Sequence, residues 1–220
     1  MPIAQILICV LGMSMCLYSL SPWAFPVELH NYFTSKYLGY GSFLTFWNIY
    51  FTLITFASKL GYLMIKKLIG IGAFTYFLHI TFSFLFPLSL ILSIIVFLGY
   101  WPLMLINYNN FYPVFLTEKN IRNPMFTDLC LHLFPLLSLS LLRTTARLSC
   151  SLINIFFIFI IGLAYVISAN YVFYIEGAWP YPFMDTFGWI EANVLFAGGI
   201  ILSIGILLIL RKVQPSRPRK

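Results

Sequence analysis

The stretch AFTYFLHITFSFLFPLSLILSIIVFLGY, residues 73–100, decides the fold class. It contains no Asp, Glu, Lys or Arg, and it exceeds the about 20 apolar residues that a helix needs to cross a bilayer's hydrocarbon. The rest of the chain is similar, since 61% of its 220 residues are hydrophobic and only 9% are charged. Soluble domains have about 25% charged residues. We therefore predict that lipid, not water, surrounds most of this protein.

The other apolar segments extend this prediction to the whole chain. They predict an all-α, polytopic membrane protein, a bundle of about six transmembrane helices that forms a single domain over residues 1–220. The predicted spans are residues 3–20, 43–65, 73–100, 126–142, 150–174 and 190–210. The first lacks a basic leader and a small-residue cleavage site, so we expect a retained helix and not a signal peptide. The fourth is the shortest, and it contains Asp128 and His132.

The basic residues predict how the bundle is oriented. Lys66 and Lys67 follow the second span, Arg143 and Arg147 follow the fourth, and a basic tail at residues 211–220 follows the sixth. With six crossings these charges share one side, which the positive-inside rule assigns to the cytosol. We expect both termini to be cytosolic, in the endoplasmic reticulum or plasma membrane. The net charge of +7 then indicates contact with anionic membrane lipids, not nucleic acid.

The longer loops fall on the opposite side of the predicted bundle. They comprise residues 21–42, 101–125 and 175–189, and they are rich in Trp, Tyr and Pro. Aromatic side chains favour the bilayer interface. We expect these loops to lie across the membrane surface as a cap.

Polar side chains in the second span follow one narrow stripe of the helix, which we call the polar seam. Its members are Thr45, Asn48, Thr52, Thr55 and Lys59. Because polar groups are costly in hydrocarbon, the seam should face other parts of the protein. It could also line a path for water, ions or a solute, so a transporter or channel is one alternative function. A non-catalytic membrane partner protein is another.

Two spans carry groups that suit nucleophilic catalysis. Asp128 and His132 are four residues apart and share one helix face, and they enter the membrane from the same side as Thr45. An imidazole can remove the proton that makes a Thr hydroxyl a poor nucleophile. Asp128 or Glu191 would orient the imidazole, and Asn48, one turn from Thr45, is a candidate oxyanion donor.

Each of these residues also has a structural interpretation. Thr hydroxyls in membrane helices commonly bond to backbone carbonyls. His132 would then be a buried hydrogen-bonded side chain, and Asp128 a carboxylate favoured at a helix N-terminus.

The sequence predicts neither a metal site nor a cofactor. His30, His79 and His132 are scattered, the four cysteines lack paired spacings, and no zinc, phosphate-binding or dinucleotide motif occurs. The partners that the composition predicts are membrane lipids. The oligomeric state is left open.

Three short motifs resemble one family. Residues 41–48, GSFLTFWN, resemble the Phe-Leu-Thr-Phe motif of the androgen-induced protein family, which includes the androgen-dependent TFPI-regulating protein. Residues 128–132, DLCLH, fall where that family has its essential histidine. Residues 179–183, WPYPF, resemble its Trp-x-Tyr-Pro-Phe motif. The order, the spacing and the six-helix layout agree over nearly the whole chain.

The resemblance implies a function. Members are membrane threonine hydrolases that cleave fatty acid esters of hydroxy fatty acids, with the motif Thr and the later His as their catalytic pair, here Thr45 and His132. Glu176, Trp179 and Tyr181 would shape the mouth of the site.

This chain also departs from the family pattern near the site. Asp128 and Leu129 stand where an Asn-His pair is often found, and Leu133 stands where a Thr follows the site histidine. Gly41 and Ser42 replace a basic residue before the Phe-Leu-Thr motif. The departures leave Thr45 and His132 in place. They bear on which substrate the protein would select and on the role of Asp128.

Overall fold

The computed structural model describes residues 2–146, 148 and 150–213, so Arg147 and the tail beyond residue 213 lie outside it. The described residues form α-helices joined by turns and short 3₁₀ helices, without a strand. The helices are α1 Pro2–Leu20, α2 Val27–Ser35, α3 Leu44–Leu68, α4 Ala73–Ile106, α5 Val114–Glu118, α6 Met125–His132, α7 Phe134–Thr145, α8 Leu152–Glu176 and α9 Trp189–Lys212.

Among the described residues, five helices are long and apolar enough to cross a membrane: α1, α3, α4, α8 and α9. The consecutive helices α6 and α7, bent by 46°, add a sixth span if they are counted as one. The predicted all-α, polytopic class is therefore confirmed. The predicted third span ends later than expected, because the apolar run continues to Ile106. It stops at Asn107, whose side chain accepts a hydrogen bond of 3.1 Å from the Asn109 N–H and starts a turn.

Helix α4 is the centre of the bundle. In its most apolar stretch 56% of the residues are buried, against 11% for α9. Helix α3 packs along α4, α1 covers α3, α7 lies between α1 and α4, and α8 and α9 pair on the other side. Gly12 of α1 allows a close contact, since a Cβ atom there would overlap the Phe56 ring of α3.

The three aromatic loops pack together at one end of the bundle, which we call the cap. Phe25 and Leu29 from the first loop, and Tyr112 and Leu116 from the second, share a core with Phe43. An ion pair of 2.7 Å between Lys36 and Glu176 ties the first loop to the end of α8. The cap thus covers the end of the bundle at which α3 begins.

Candidate active site

Thr45 is the second residue of α3, and the start of this helix is held in place from two sides. Phe43, with extended backbone, precedes the helix, and its carbonyl accepts the N–H groups of Phe46 and Trp47. The Trp47 indole N–H donates to the Gly41 carbonyl at 2.8 Å, and the Tyr165 hydroxyl donates to the Ser42 carbonyl at 3.4 Å. Thr45 therefore sits at a fixed helix N-terminus.

His132 is the last residue of α6, at the bend before α7. Pro135 explains the break, because proline has no N–H to donate to the Leu131 carbonyl one turn earlier and its ring clashes with that carbonyl. The Leu133 N–H still donates to the Leu129 carbonyl at 3.0 Å. The sequence thus ends α6 inside the bundle with His132 at its tip.

Thr45 and His132 meet although 87 residues separate them in the chain. The Thr45 Oγ1 and His132 Nε2 atoms are 3.5 Å apart, and the two residues are only 6% and 7% exposed. Proton transfer works at roughly 2.6–3.2 Å, and such contacts are often longer before substrate binds. The two groups are thus near the geometry of a nucleophile and its base.

The surroundings of the imidazole determine which nitrogen carries its proton. The Nδ1 atom of His132 is 3.1 Å from the Asp128 backbone carbonyl, and a carbonyl can only accept. Nδ1 therefore carries the hydrogen, and the lone pair of Nε2 points to Thr45. The Tyr100 ring stacks on the imidazole with centroids 3.5 Å apart and planes 2° from parallel, which fixes the ring plane.

The Tyr181 hydroxyl completes the immediate surroundings of Thr45. The Thr45 side chain, the backbone of Leu44 and Thr45, and the Tyr165 hydroxyl lie close enough to its oxygen to lower its pKa through hydrogen bonding. Burial raises the pKa of Tyr181, and these hydrogen bonds offset only part of the rise. The phenol therefore keeps its proton at physiological pH.

Thr45 lies at the end of a large apolar cavity of about 570 Å³ between α4, α8 and α9. Phe111, Phe183 and Met184 close it at the cap. Leu195 and Leu202 of α9 line it and are about half exposed, at 49% and 48%. The cavity therefore opens on the lateral surface of the bundle, where lipid chains would lie.

A second, small pocket lies on the other side of Thr45. Its volume is about 40 Å³, and Thr45, His132, Tyr112, Asn123 and Tyr181 are among its lining residues. Thr45 lines both spaces, whereas His132 lines only the small one. Thr45 thus separates a large apolar space from a small one that His132 lines.

Two residues of the polar seam, Asn48 and Thr55, are hydrogen-bonded to α4, while the Asn48 Nδ2 atom is buried without a hydrogen-bond partner among the described residues. Ser93 donates to the Asn48 Oδ1 atom at 2.9 Å, and the Thr55 and Ser89 hydroxyls are 2.7 Å apart. Thr52 donates to the same Asn48 oxygen at 3.5 Å. Asn48 lines neither pocket, so the structure does not bring it to the place where an oxyanion would form.

The carboxylates suggested for the site are not directed at His132. The buried Asp128 carboxylate accepts the Asn123 amide N–H at 2.8 Å, so Asp128 contacts the imidazole through its backbone. Glu191 is exposed at the start of α9, where its side chain folds back over Gly188. The Glu176 carboxylate binds Lys36.

The Trp-x-Tyr-Pro-Phe motif contributes to the site through its tyrosine. Trp179 is 1% exposed and stacks on Phe173 with centroids 4.4 Å apart, so it packs the end of α8 and lines neither pocket. Tyr181 lines both. Of the three expected mouth residues, the structure places only Tyr181 beside Thr45.

Three site residues were not expected from the sequence: Tyr100, Asn123 and Pro135. Pro135, three residues after His132, was a usable signal, since proline breaks helices. Tyr100 and Asn123 had no such signal in the sequence, because Tyr100 reaches the site from the end of α4 and Asn123 reaches it from a loop. No group of three or more His, Cys, Asp or Glu side chains within the described ranges is arranged to hold a metal ion.

Comparisons with known proteins agree with the motifs. No curated protein and no solved structure matches the chain. The model of the FAR-17a/AIG1-like protein family matches residues 7–215, nearly the whole sequence. The chain therefore belongs to the FAR-17a/AIG1-like family, the androgen-induced protein family that its motifs resemble.

Proposed function

We propose that this protein is an intramembrane hydrolase that cleaves lipid esters, such as fatty acid esters of hydroxy fatty acids, with Thr45 as nucleophile and His132 as base. The observation that carries the proposal is the 3.5 Å contact between Thr45 Oγ1 and His132 Nε2 at the end of an apolar cavity. Hydrocarbon normally excludes such groups, and polar residues inside a membrane bundle are functional candidates by default.

The first half of the reaction forms an acyl-enzyme. His132 Nε2 takes the Thr45 hydroxyl proton while Oγ1 attacks the ester carbonyl carbon. The tetrahedral intermediate collapses, the bond between the carbonyl carbon and the alkoxy oxygen breaks, and His132 gives its proton to the leaving oxygen. The alcohol leaves, and the acyl group stays on Thr45.

The second half releases the acid. A water molecule attacks the acyl-Thr45 carbonyl, and His132 removes a proton from it. The bond to Oγ1 then breaks, and the proton returns to Thr45 from His132. The Asp128 carbonyl holds the imidazole in the required tautomer throughout, in the place of the carboxylate of a catalytic triad.

The start of α3 supplies donors for the negative charge that develops on the carbonyl oxygen. The first N–H groups of a helix have no partner within it. Those of Leu44 and Thr45 lie beside the nucleophile, where they now face the Tyr181 oxygen, and they would turn to the substrate oxygen when it binds. The Tyr181 hydroxyl, whose raised pKa keeps it protonated, would be a third donor at the same place. Preorganised donors of this kind usually contribute the largest share of catalysis in acyl transfer.

The large cavity suits the acyl chain of the substrate. Its volume of about 570 Å³ falls in the range of roughly 300–1,000 Å³ that ligand sites occupy. Because it opens sideways, a chain can pass from the bilayer into it without crossing water. With both termini in the cytosol, as the basic residues indicate, the site belongs to the non-cytosolic leaflet.

Covalent labelling tests the proposal. The protein, purified in detergent, is treated with a fluorophosphonate probe, and the modified peptide is identified by mass spectrometry. We expect the probe to label Thr45 in wild type and to leave Thr45→Val unlabelled. Labelling of a residue other than Thr45 would refute the assignment of Thr45 as nucleophile. His132→Gln should also abolish ester turnover.

Thr52→Val is the matched control, since Thr52 lies on the same seam, is buried like Thr45, and lines neither pocket. We expect it to retain labelling and turnover. A transporter or channel would behave in the opposite way, with solute flux into liposomes that is lost in Thr52→Val and kept in Thr45→Val.

A further inference from the structure

Asn123, which lines the small pocket beside His132, carries an acceptor that the described residues leave unsatisfied. Asn123 lines this pocket and is 8% exposed. Its amide nitrogen Nδ2 donates to the Asp128 carboxylate at 2.8 Å, and this fixes the orientation of the amide because a carboxylate accepts. The Asn123 Oδ1 atom is buried and accepts no hydrogen bond from the described part of the chain.

An unpaired buried carbonyl oxygen is costly, so native structures normally satisfy it, often with water. The small pocket measures about 40 Å³, and one water molecule needs roughly 10–15 Å³ of such space. It has room for a few water molecules but not for an acyl chain. Water is thus the chemical species that fits both the pocket and the Asn123 oxygen.

The chemistry of the acyl-enzyme assigns this water a role. In the free protein, His132 Nε2 faces the Thr45 hydroxyl at 3.5 Å. Once Thr45 is acylated, its oxygen carries no hydrogen, and Nε2 becomes free to accept one. Two residues that line the pocket then each have an acceptor without a donor, His132 Nε2 and Asn123 Oδ1, and a water molecule has two O–H groups to donate.

We infer that Asn123 is a positioning residue that holds the hydrolytic water in the small pocket. One O–H bonds to Asn123 Oδ1, the other to His132 Nε2, and the water oxygen faces the acyl-Thr45 carbonyl. His132 takes the proton on its side as the new C–O bond forms. Asn123 therefore acts in deacylation and not in acylation, an inference that rests on the proposed function.

The test measures the two half-reactions separately in Asn123→Ala. With a 4-nitrophenyl acyl ester, wild type and variant are compared for initial burst, steady-state turnover and acyl-enzyme mass. We expect kcat to fall about ten-fold, as the loss of one hydrogen bond to the reacting water predicts. KM should fall in parallel, so that kcat/KM, which reports acylation, stays within about two-fold, and acyl-Thr45 should accumulate.

Two further variants separate positioning from folding. Asn109→Ala is the control, because Asn109 is an exposed cap residue outside both pockets, and it should show wild-type kinetics. The exchange Asn123→Asp with Asp128→Asn keeps a hydrogen-bonded pair and an acceptor at position 123. It should restore deacylation to within a few-fold of wild type.

The outcomes distinguish this inference from the proposed function. Acylation of Thr45 followed by equal deacylation in wild type and Asn123→Ala would overturn the water site alone. A fall in kcat/KM without acyl-enzyme accumulation, which a structural role predicts, would also overturn it. If wild-type Thr45 never becomes acylated, both proposals fail.

Discussion

The Tyr181 hydroxyl provides a direct test of how the site stabilises negative charge. Tyr181→Phe removes one O–H group and keeps the ring that lines both pockets. Loss of one oxyanion donor costs about 10²–10³ in kcat in acyl-transfer enzymes. Here the Leu44 and Thr45 N–H groups remain, so we expect the lower end, a fall of about 100-fold, with KM changed less than about three-fold.

The pH profile adds a second readout for the same residue. The pKa of Tyr181 is raised by burial, so the phenol keeps its proton, and its ability to donate, beyond the ordinary tyrosine value of about 10. Wild type should therefore show no loss of kcat from Tyr181 ionisation as the pH rises from 8 to about 10. A steep loss in wild type that Tyr181→Phe lacks would contradict the assignment.

The assay is steady-state hydrolysis of a fluorogenic acyl ester in detergent micelles, with thermal unfolding measured on the same samples. Tyr40→Phe is the matched control, because the Tyr40 hydroxyl bonds to His30 Nδ1 at 2.6 Å in the cap and Tyr40 lines neither pocket. It should lower the unfolding temperature without changing kcat. If Tyr181→Phe keeps wild-type kcat while folded, the oxyanion argument is wrong.

Three further predictions concern other parts of the bundle. Gly199→Leu, at a wall position of the large cavity with open space around it, should lower kcat/KM for palmitoyl esters at least about ten-fold and leave butyryl esters nearly unchanged. Pro135→Ala should straighten the bend, move His132 away from Thr45 and lower kcat about 100-fold without loss of thermal stability. Lys59→Met should leave turnover unchanged and raise the unfolding midpoint by about 2–4 °C, because the buried Lys59 amine has no carboxylate within ion-pair distance among the described residues. All three variants are measured with the same hydrolysis and melting assays. These predictions are refuted in turn if Gly199→Leu lowers kcat/KM equally for palmitoyl and butyryl esters, if Pro135→Ala keeps the wild-type kcat, or if Lys59→Met lowers the unfolding midpoint.

The polar seam was predictable from spacing alone. Its residues repeat with the period of a helix, and the cost of polar groups in lipid requires that they face protein. Asn48, Thr52, Thr55 and Lys59 are indeed buried. Spacing could not identify what they face, since the partners Ser89 and Ser93 lie in another helix and depend on how α3 docks on α4.

The contact between Thr45 and His132 was only partly predictable. Their similar depth follows from the direction in which each helix enters the membrane, but depth does not determine distance. The distance depends on the bend at Pro135 and on the Tyr100 ring against His132. The Asp128 carboxylate illustrates the same limit, because its place in the sequence suggested a triad while its contact is with Asn123.

The site is built from helix ends, and this explains how it can exist in a membrane. Backbone groups in hydrocarbon must be satisfied, so free N–H groups and broken helices are tolerated there only inside protein or beside a cavity. Thr45 lies in the first turn of α3 and His132 ends α6, so the proposed nucleophile lies next to amides that have no partner within the helix, and the proposed base lies at the tip of a broken span. A continuous helix at either position would remove the donors or move the imidazole. The cap buries both ends, and in the proposed mechanism the large pocket is the substrate side and the small pocket the water side.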